Sequence, residues 1–150
     1  MSFAFAEDTL DIYEEKEMGR RELREQIFKL LFRIEFNKPE EMKEQEKLFF
    51  EDDEKLIPED GQEYIMNKYA NIVTQKSEID AMINQIAEGW KTERMGKVDL
   101  TILRLAVYEI KFDEDVPASV AINEAVELAK KFGQDGSASF INGILAKFAK

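Results

Sequence analysis

An all-α fold is what this 150-residue sequence predicts, and three observations carry the prediction. Apolar residues recur at spacings of three and four along most of the chain, the signature of helices with one covered face. Alternating β-branched runs of the kind a half-buried strand needs are almost absent. Helix-breaking residues are few, three prolines and seven glycines. A chain of this length has room for one domain or two small helical subdomains around a common core.

Residues 1–17 hold six acids and one base and show no clear helical face, so an acidic N-terminal extension is expected there. From Gly19 the pattern changes. Arg20, Arg21, Glu22, Leu23 and Arg24 open a helix whose Leu23, Ile27, Leu30, Leu31 and Ile34 fall on one stripe. Arg20 and Arg24 are one turn apart and share a face, and three arginines at a helix start oppose its dipole unless a polyanion is bound. Asn37, Lys38 and Pro39 break that helix, and Pro39 followed by two acids suits a new first turn. Met42 and Phe49 give the second helix a thin apolar edge, and 50–58 reads as an acidic linker.

Tyr64, Ile65, Tyr69, Ile72 and Val73 mark a third helix, and Ile79, Met82, Ile83, Ile86 and Trp90 a fourth, with Ser77 placed as a cap and Trp90 as a core residue at the helix end. A short basic connector carries Lys91, Glu93, Arg94 and Lys97 and has room for one helical turn. Asp99 is expected to cap the next helix, which is apolar nearly all round and leaves Thr101, Arg104, Glu109 and Lys111 for water. Pro117 suits the first turn of a sixth helix, with Ile122, Ala125, Val126, Ala129 and Phe132 inward, Asn123 as a buried bridging amide and Gly133 as a left-handed end. Ser137 is the expected cap of a last helix bearing Phe140, Ile141, Ile144, Leu145 and Phe148, in which Gly143 is expected to admit a close neighbour.

Composition narrows the chemistry. Without cysteine there are no disulfides, thiolate nucleophiles or thiolate metal sites, and without histidine the usual general base and the commonest metal ligand are missing. No glycine-rich phosphate loop is present, and most carboxylates fall on hydrophilic faces, so neither an enzyme, a metal site nor a cofactor is expected. No apolar run approaches the roughly 20 residues that cross a bilayer, so a cytoplasmic protein without membrane contact is expected. The net charge of −11 argues against nucleic acid on average, though the acidic extension alone supplies −5 of it.

Several separated blocks share one resemblance. Val98–Ile110, Val116-Pro117, Val120–Lys130, Phe132-Gly133 and Phe140–Leu145 resemble, in order, the C-terminal half of the NusB family of bacterial transcription antitermination factors, and Arg20–Arg24 leading to Leu30-Leu31-Phe32 is similar to the family's arginine-rich first helix. The resemblance implies a NusB-like helical bundle of about seven helices in two packed subdomains, a single domain over 18–150 divided into 18–76 and 77–150. It implies binding of boxA-type single-stranded RNA together with the ribosomal protein NusE, on RNA polymerase elongation complexes with other Nus factors, in support of ribosomal RNA transcription. Carried over by position, Arg20, Arg21 and Arg24 would meet RNA phosphates, Phe32 and Phe140 would be aromatic contacts, and Glu93 and Asp99 would face RNA and NusE. In the last loop the family's acid stands directly before the serine, whereas here Gly136 does and Asp135 is one place earlier. The acidic extension has no family counterpart and is expected to weaken nonspecific RNA binding. Two other readings remain open: a protein-only helical interaction module without RNA binding, and a homodimer that covers the arginine helix. An appendage to an RNA methyltransferase is not expected, since no glycine-rich nucleotide-binding segment follows.

Overall fold

The computed structural model describes residues 18–52 and 56–149; the acidic stretch 1–17, part of the acidic linker at 53–55, and Lys150 lie outside the described residues. The described residues contain no strand and form seven α-helices: α1 Arg20–Phe32, α2 Met42–Phe50, α3 Glu59–Thr74, α4 Lys76–Ile86, α5 Lys97–Phe112, α6 Ala118–Phe132 and α7 Ser137–Phe148. Three 3-10 turns accompany them at Arg33–Glu35, Pro39–Glu41 and Thr92–Arg94, the last being the expected turn in the basic connector. The chain divides into two compact units between Lys68 and Tyr69, within α3.

In the first unit α1 buries Ile27, Phe28, Leu30 and Leu31, with Leu23 and Ile34 half-covered, so the stripe read from spacing is the one that leaves water. Pro39 stands at the first position of its turn, where a missing N–H costs nothing, and the Glu41 carboxylate accepts the Lys38 N–H at 2.7 Å. Arg33 ties the end of α1 to α2. Its Nη1 donates to the main-chain oxygen and Oε1 of Gln45, both at 3.2 Å, while the guanidinium lies 5.1 Å from the centre of the fully buried Phe49 ring.

In the second unit α5, α6 and α7 pack on one another, and α4 packs on α5 and α7. Every residue of α5 from Leu100 to Glu109 is buried, including three the periodicity had left for solvent. Thr101 turns its hydroxyl back to donate to the Lys97 carbonyl at 2.7 Å. Arg104 donates from Nε and Nη2 to the two carboxylate oxygens of Asp80, at 2.8 and 2.9 Å, a planar two-point match that allows the charge to be enclosed. Glu109 is 1% exposed. A helix covered on all sides has no polar face to spare, so its polar residues take internal partners instead of water.

The covered stripe of α6 keeps Ala125 and Ala129 of the expected one but is turned to one side of it. Ala121, Ala125, Leu128 and Ala129 are buried, whereas Ile122, Val126 and Phe132 are half-covered and Asn123 is exposed, which removes the expected buried amide. The alanines face inward because small side chains let helix backbones approach, an advantage a hydrophobicity pattern alone does not register.

Four end signals also differ from expectation. Helix α5 begins at Lys97 with Gly96 as cap, so Asp99 lies in the first turn, where its charge suits the helix dipole, and does not cap. Helix α4 begins at Lys76, ahead of Ser77. Gly133 is extended, with φ −86° and ψ −170°, and the left-handed residue is Gly136 at φ +90°, which caps α7. Ser137 is therefore the first residue of α7, and its Oγ accepts the Gln134 N–H at 3.0 Å. Gly133 is glycine for space: a Cβ there would lie 2.6 Å from Ser137 Cβ and 2.7 Å from the Ala129 carbonyl oxygen. Gly143, expected to admit a close neighbour, would meet nothing within 4 Å.

Candidate nucleic-acid interface

Candidate nucleic-acid contacts occur in two separate groups of side chains, one in each unit, and each is described by itself. The first is on α1. Gly19 is extended and offers no side-chain cap, and Leu23 N–H bonds to Gly19 O at 3.0 Å. Arg20 and Arg21 occupy this turn and are both exposed. Arg24, one turn on, keeps only 7% of its surface, so the face it shares with Arg20 is open at Arg20 and covered at Arg24. The periodicity placed all three arginines together on the helix; covering of the second turn by the fold was not visible in it.

Phe32 is twelve positions after Arg20, about 18 Å along the helix axis, so the ring and the first-turn arginines are at opposite ends of α1. It is half-buried between two other phenylalanines, stacked with Phe28 at 6.1 Å and edge-on to Phe36 at 5.0 Å. Phe36 is 61% exposed and was not singled out from sequence; its position four after Phe32 is the signal that could have found it.

The second group is the connector between α4 and α5 together with the start of α7. After α4 the chain turns through Glu88 at φ +23° and Gly89 at φ +83°, closed by the Trp90 N–H to Ala87 O at 3.1 Å. Thr92 and Met95 are buried, and the Thr92 N–H bonds to Asn84 Oδ1 at 2.8 Å, which fixes the connector to α4. Trp90 is not the core residue expected: it is 57% exposed. It stands edge-to-face with the half-buried Phe140 of α7, ring centres 5.6 Å apart and planes at 74°. Glu93 is exposed on the 3-10 turn, Asp99 half-buried on α5, and Asp135 exposed in the loop before α7. Lys91 and Arg94 are exposed along the same connector, and Lys97 is exposed at the first position of α5.

The family model for NusB matches residues 21–150. The chain belongs to the NusB family. Curated NusB relatives agree over nearly their whole lengths: the transcription antitermination protein NusB of Lachnoclostridium phytofermentans is 54% identical over 130 residues, 87% of this chain and 98% of the relative. That of Agathobacter rectalis is 53% identical over 133 residues, 88% of this chain and all of the relative. Among solved structures, T. maritima NusB superposes with a TM-score of 0.78 at 35% identity, covering 89% of this chain and 92% of that one. A chain from the crystal structure of the antitermination factors NusB and NusE in complex with double-stranded RNA gives a TM-score of 0.72 at 25% identity, covering 87% and 95%. The match to NusB structures agrees with the all-helical architecture built up above. Among the described residues no helix is long and apolar enough to cross a membrane.

Proposed function

We propose that this chain is a transcription antitermination factor that binds boxA-type single-stranded RNA together with NusE and acts in the cytoplasm on RNA polymerase elongation complexes with other Nus factors. The observation that carries the reading is the agreement, at more than half identity and over nearly their full lengths, with curated antitermination proteins. The likeness to a chain solved with NusE and RNA supports both partners. No catalytic step is proposed.

Arg20 and Arg21 meet phosphates at the open first turn of α1, where the helix dipole and two guanidinium groups favour the same anion. Arg24, mostly covered, holds that turn in place more than it reaches for RNA. In the second unit Phe140 is the aromatic contact, and Glu93, Asp99 and Asp135 are the acids offered to NusE or to RNA hydroxyls. Phe32 belongs to the aromatic ladder at the far end of α1. The division into subdomains 18–76 and 77–150 is kept as part of this reading.

Two arginines neutralise few phosphates, so the isolated chain binds RNA weakly and NusE completes the surface. The test is a titration of end-labelled boxA-type RNA with the chain alone, with NusE alone and with both. Tighter binding by the mixture than by either component supports the reading. Failure of the folded chain to add to NusE's own RNA affinity sinks it, and NusE binding that RNA never strengthens points to the protein-only module.

A further inference from the structure

The indole of Trp90 is the largest apolar group left open on the second unit, and the fold holds it there by several means. The turn that carries it passes through two consecutive positive φ angles, one at a residue other than glycine, an arrangement L side chains rarely adopt without compensation. Burial of Thr92 and Met95 and the bond from Thr92 to Asn84 fix the chain directly after it. Phe140 supports the ring at near-perpendicular incidence. A T-shaped pair uses one of its four ring faces, so the contact with Phe140 orients the indole without covering both its sides.

The charge around it selects the occupant. Residues 88–97 carry Lys91, Arg94 and Lys97 against Glu88 and Glu93, one cation in excess within a chain of net charge −11, and all three cations are exposed, with Asp99 and Asp135 the acids beyond this segment in the same group. A rigid aromatic face among exposed cations is the combination that binds an unpaired base by stacking while its phosphates find positive charge. An acidic protein segment would use the cations but not the flat ring; a single strand of RNA uses both. We propose that Trp90, seated on Phe140, is a base-stacking residue for single-stranded RNA. The proposal rests on the reading of the chain as an RNA-binding factor and adds to it a residue and its role.

The full chain supplies its own probe, because Trp90 is the single tryptophan. Emission excited at the red edge, where tyrosine does not absorb, is followed as unlabelled boxA-type RNA is added. RNA binding is measured independently by the anisotropy of an end-labelled copy. Stacking predicts that most of the emission is lost at saturation, over the RNA range in which anisotropy rises. Trp90→Phe keeps a ring and should bind RNA within about threefold of the parent, whereas Trp90→Ala should bind about 5- to 150-fold more weakly. Circular dichroism on both variants identifies any loss of folding, and the emission of the unaltered chain tests the idea regardless of the variants.

RNA binding by anisotropy with unchanged Trp90 emission overturns the inference and leaves the antitermination reading intact. Equal RNA affinity for Trp90→Ala and the parent does the same. Emission that shifts on addition of NusE alone, and not further with RNA, assigns the ring to the protein partner and also overturns it. If no RNA is bound under any condition, the antitermination reading fails first and the role of Trp90 with it.

Discussion

Arg104 and Asp80 form a two-point ion pair, Nε to Oδ1 at 2.8 Å and Nη2 to Oδ2 at 2.9 Å, that binds α4 to the enclosed helix α5. The arginine side chain is 6% exposed and the aspartate 19%. Such a pair contributes little over an apolar substitute, but removing one partner takes the two-point counter-ion from a mostly buried charge, although Lys76 Nζ also stands 3.9 Å from Asp80 Oδ2. Asp80→Ala should therefore destabilise the chain by about 3 kcal/mol in urea unfolding, and the double variant D80L/R104M should recover most of that loss. A single substitution that leaves the unfolding midpoint unmoved would show that the pair is solvated.

Two glycines should respond to alanine with opposite signs. At Gly133 the new methyl would meet Ser137 Cβ and the Ala129 carbonyl well inside contact distance, so Gly133→Ala should cost about 1–3 kcal/mol. At Gly143, inside α7 and facing open space, the same change should stabilise by about 0.5–1 kcal/mol through the smaller entropy of the unfolded chain. Thermal unfolding of the two variants beside the parent is sufficient to compare them.

Ser137 offers a smaller test in the same loop. Its Oγ accepts the Gln134 N–H, and the residue is 6% exposed. Ser137→Ala should lower stability by about 1 kcal/mol, read from the shift in unfolding midpoint at constant slope.

The arginines of α1 should separate into two kinds. Arg20→Ala with Arg21→Ala removes two exposed charges, so the slope of log affinity for RNA against log salt should become shallower by about 1.4, with stability changed by less than about 0.5 kcal/mol. Arg24→Ala truncates a side chain that is 7% exposed and should destabilise by about 1 kcal/mol or more, because its methylene stem is packed. Equal and purely electrostatic effects from all three would contradict the burial seen at Arg24.

Helix existence and order were legible in the sequence because apolar spacing is a local property: the stripe Ile27, Leu30, Leu31 on α1 and the stripe Ile141, Ile144, Leu145, Phe148 on α7 are covered as the pattern requires. Helix ends were less legible. Asp99, Ser77 and Ser137 are all good capping residues, yet glycine or glutamine one to three positions earlier caps each helix, since tertiary packing sets where the chain enters. The inward face of α6 keeps the expected Ala125 and Ala129 but takes Ala121 and Leu128 in place of Ile122 and Val126, because which flank of the alanine row is covered is set by the neighbouring helices and not by local hydrophobicity. Of the candidate site, the arginines were singled out from their place at a helix start and, with Phe140, from their resemblance to family motifs. The exposure of Trp90 was missed because a large aromatic at a helix end is ordinarily core, and only the turn through Glu88 and Gly89 carries it outward.

Ten consecutive residues of α5, from Leu100 to Glu109, are out of water. A helix with one greasy side can roll or slip by a residue and still find solvent for its polar groups, but this one would strand Thr101 or Arg104 against hydrocarbon at any other setting. It therefore has a single admissible register, and the connector that joins its first turn inherits that setting. The placing of the ring at position 90 is thus indexed to the interior of the second unit and is insensitive to surface drift elsewhere in the chain.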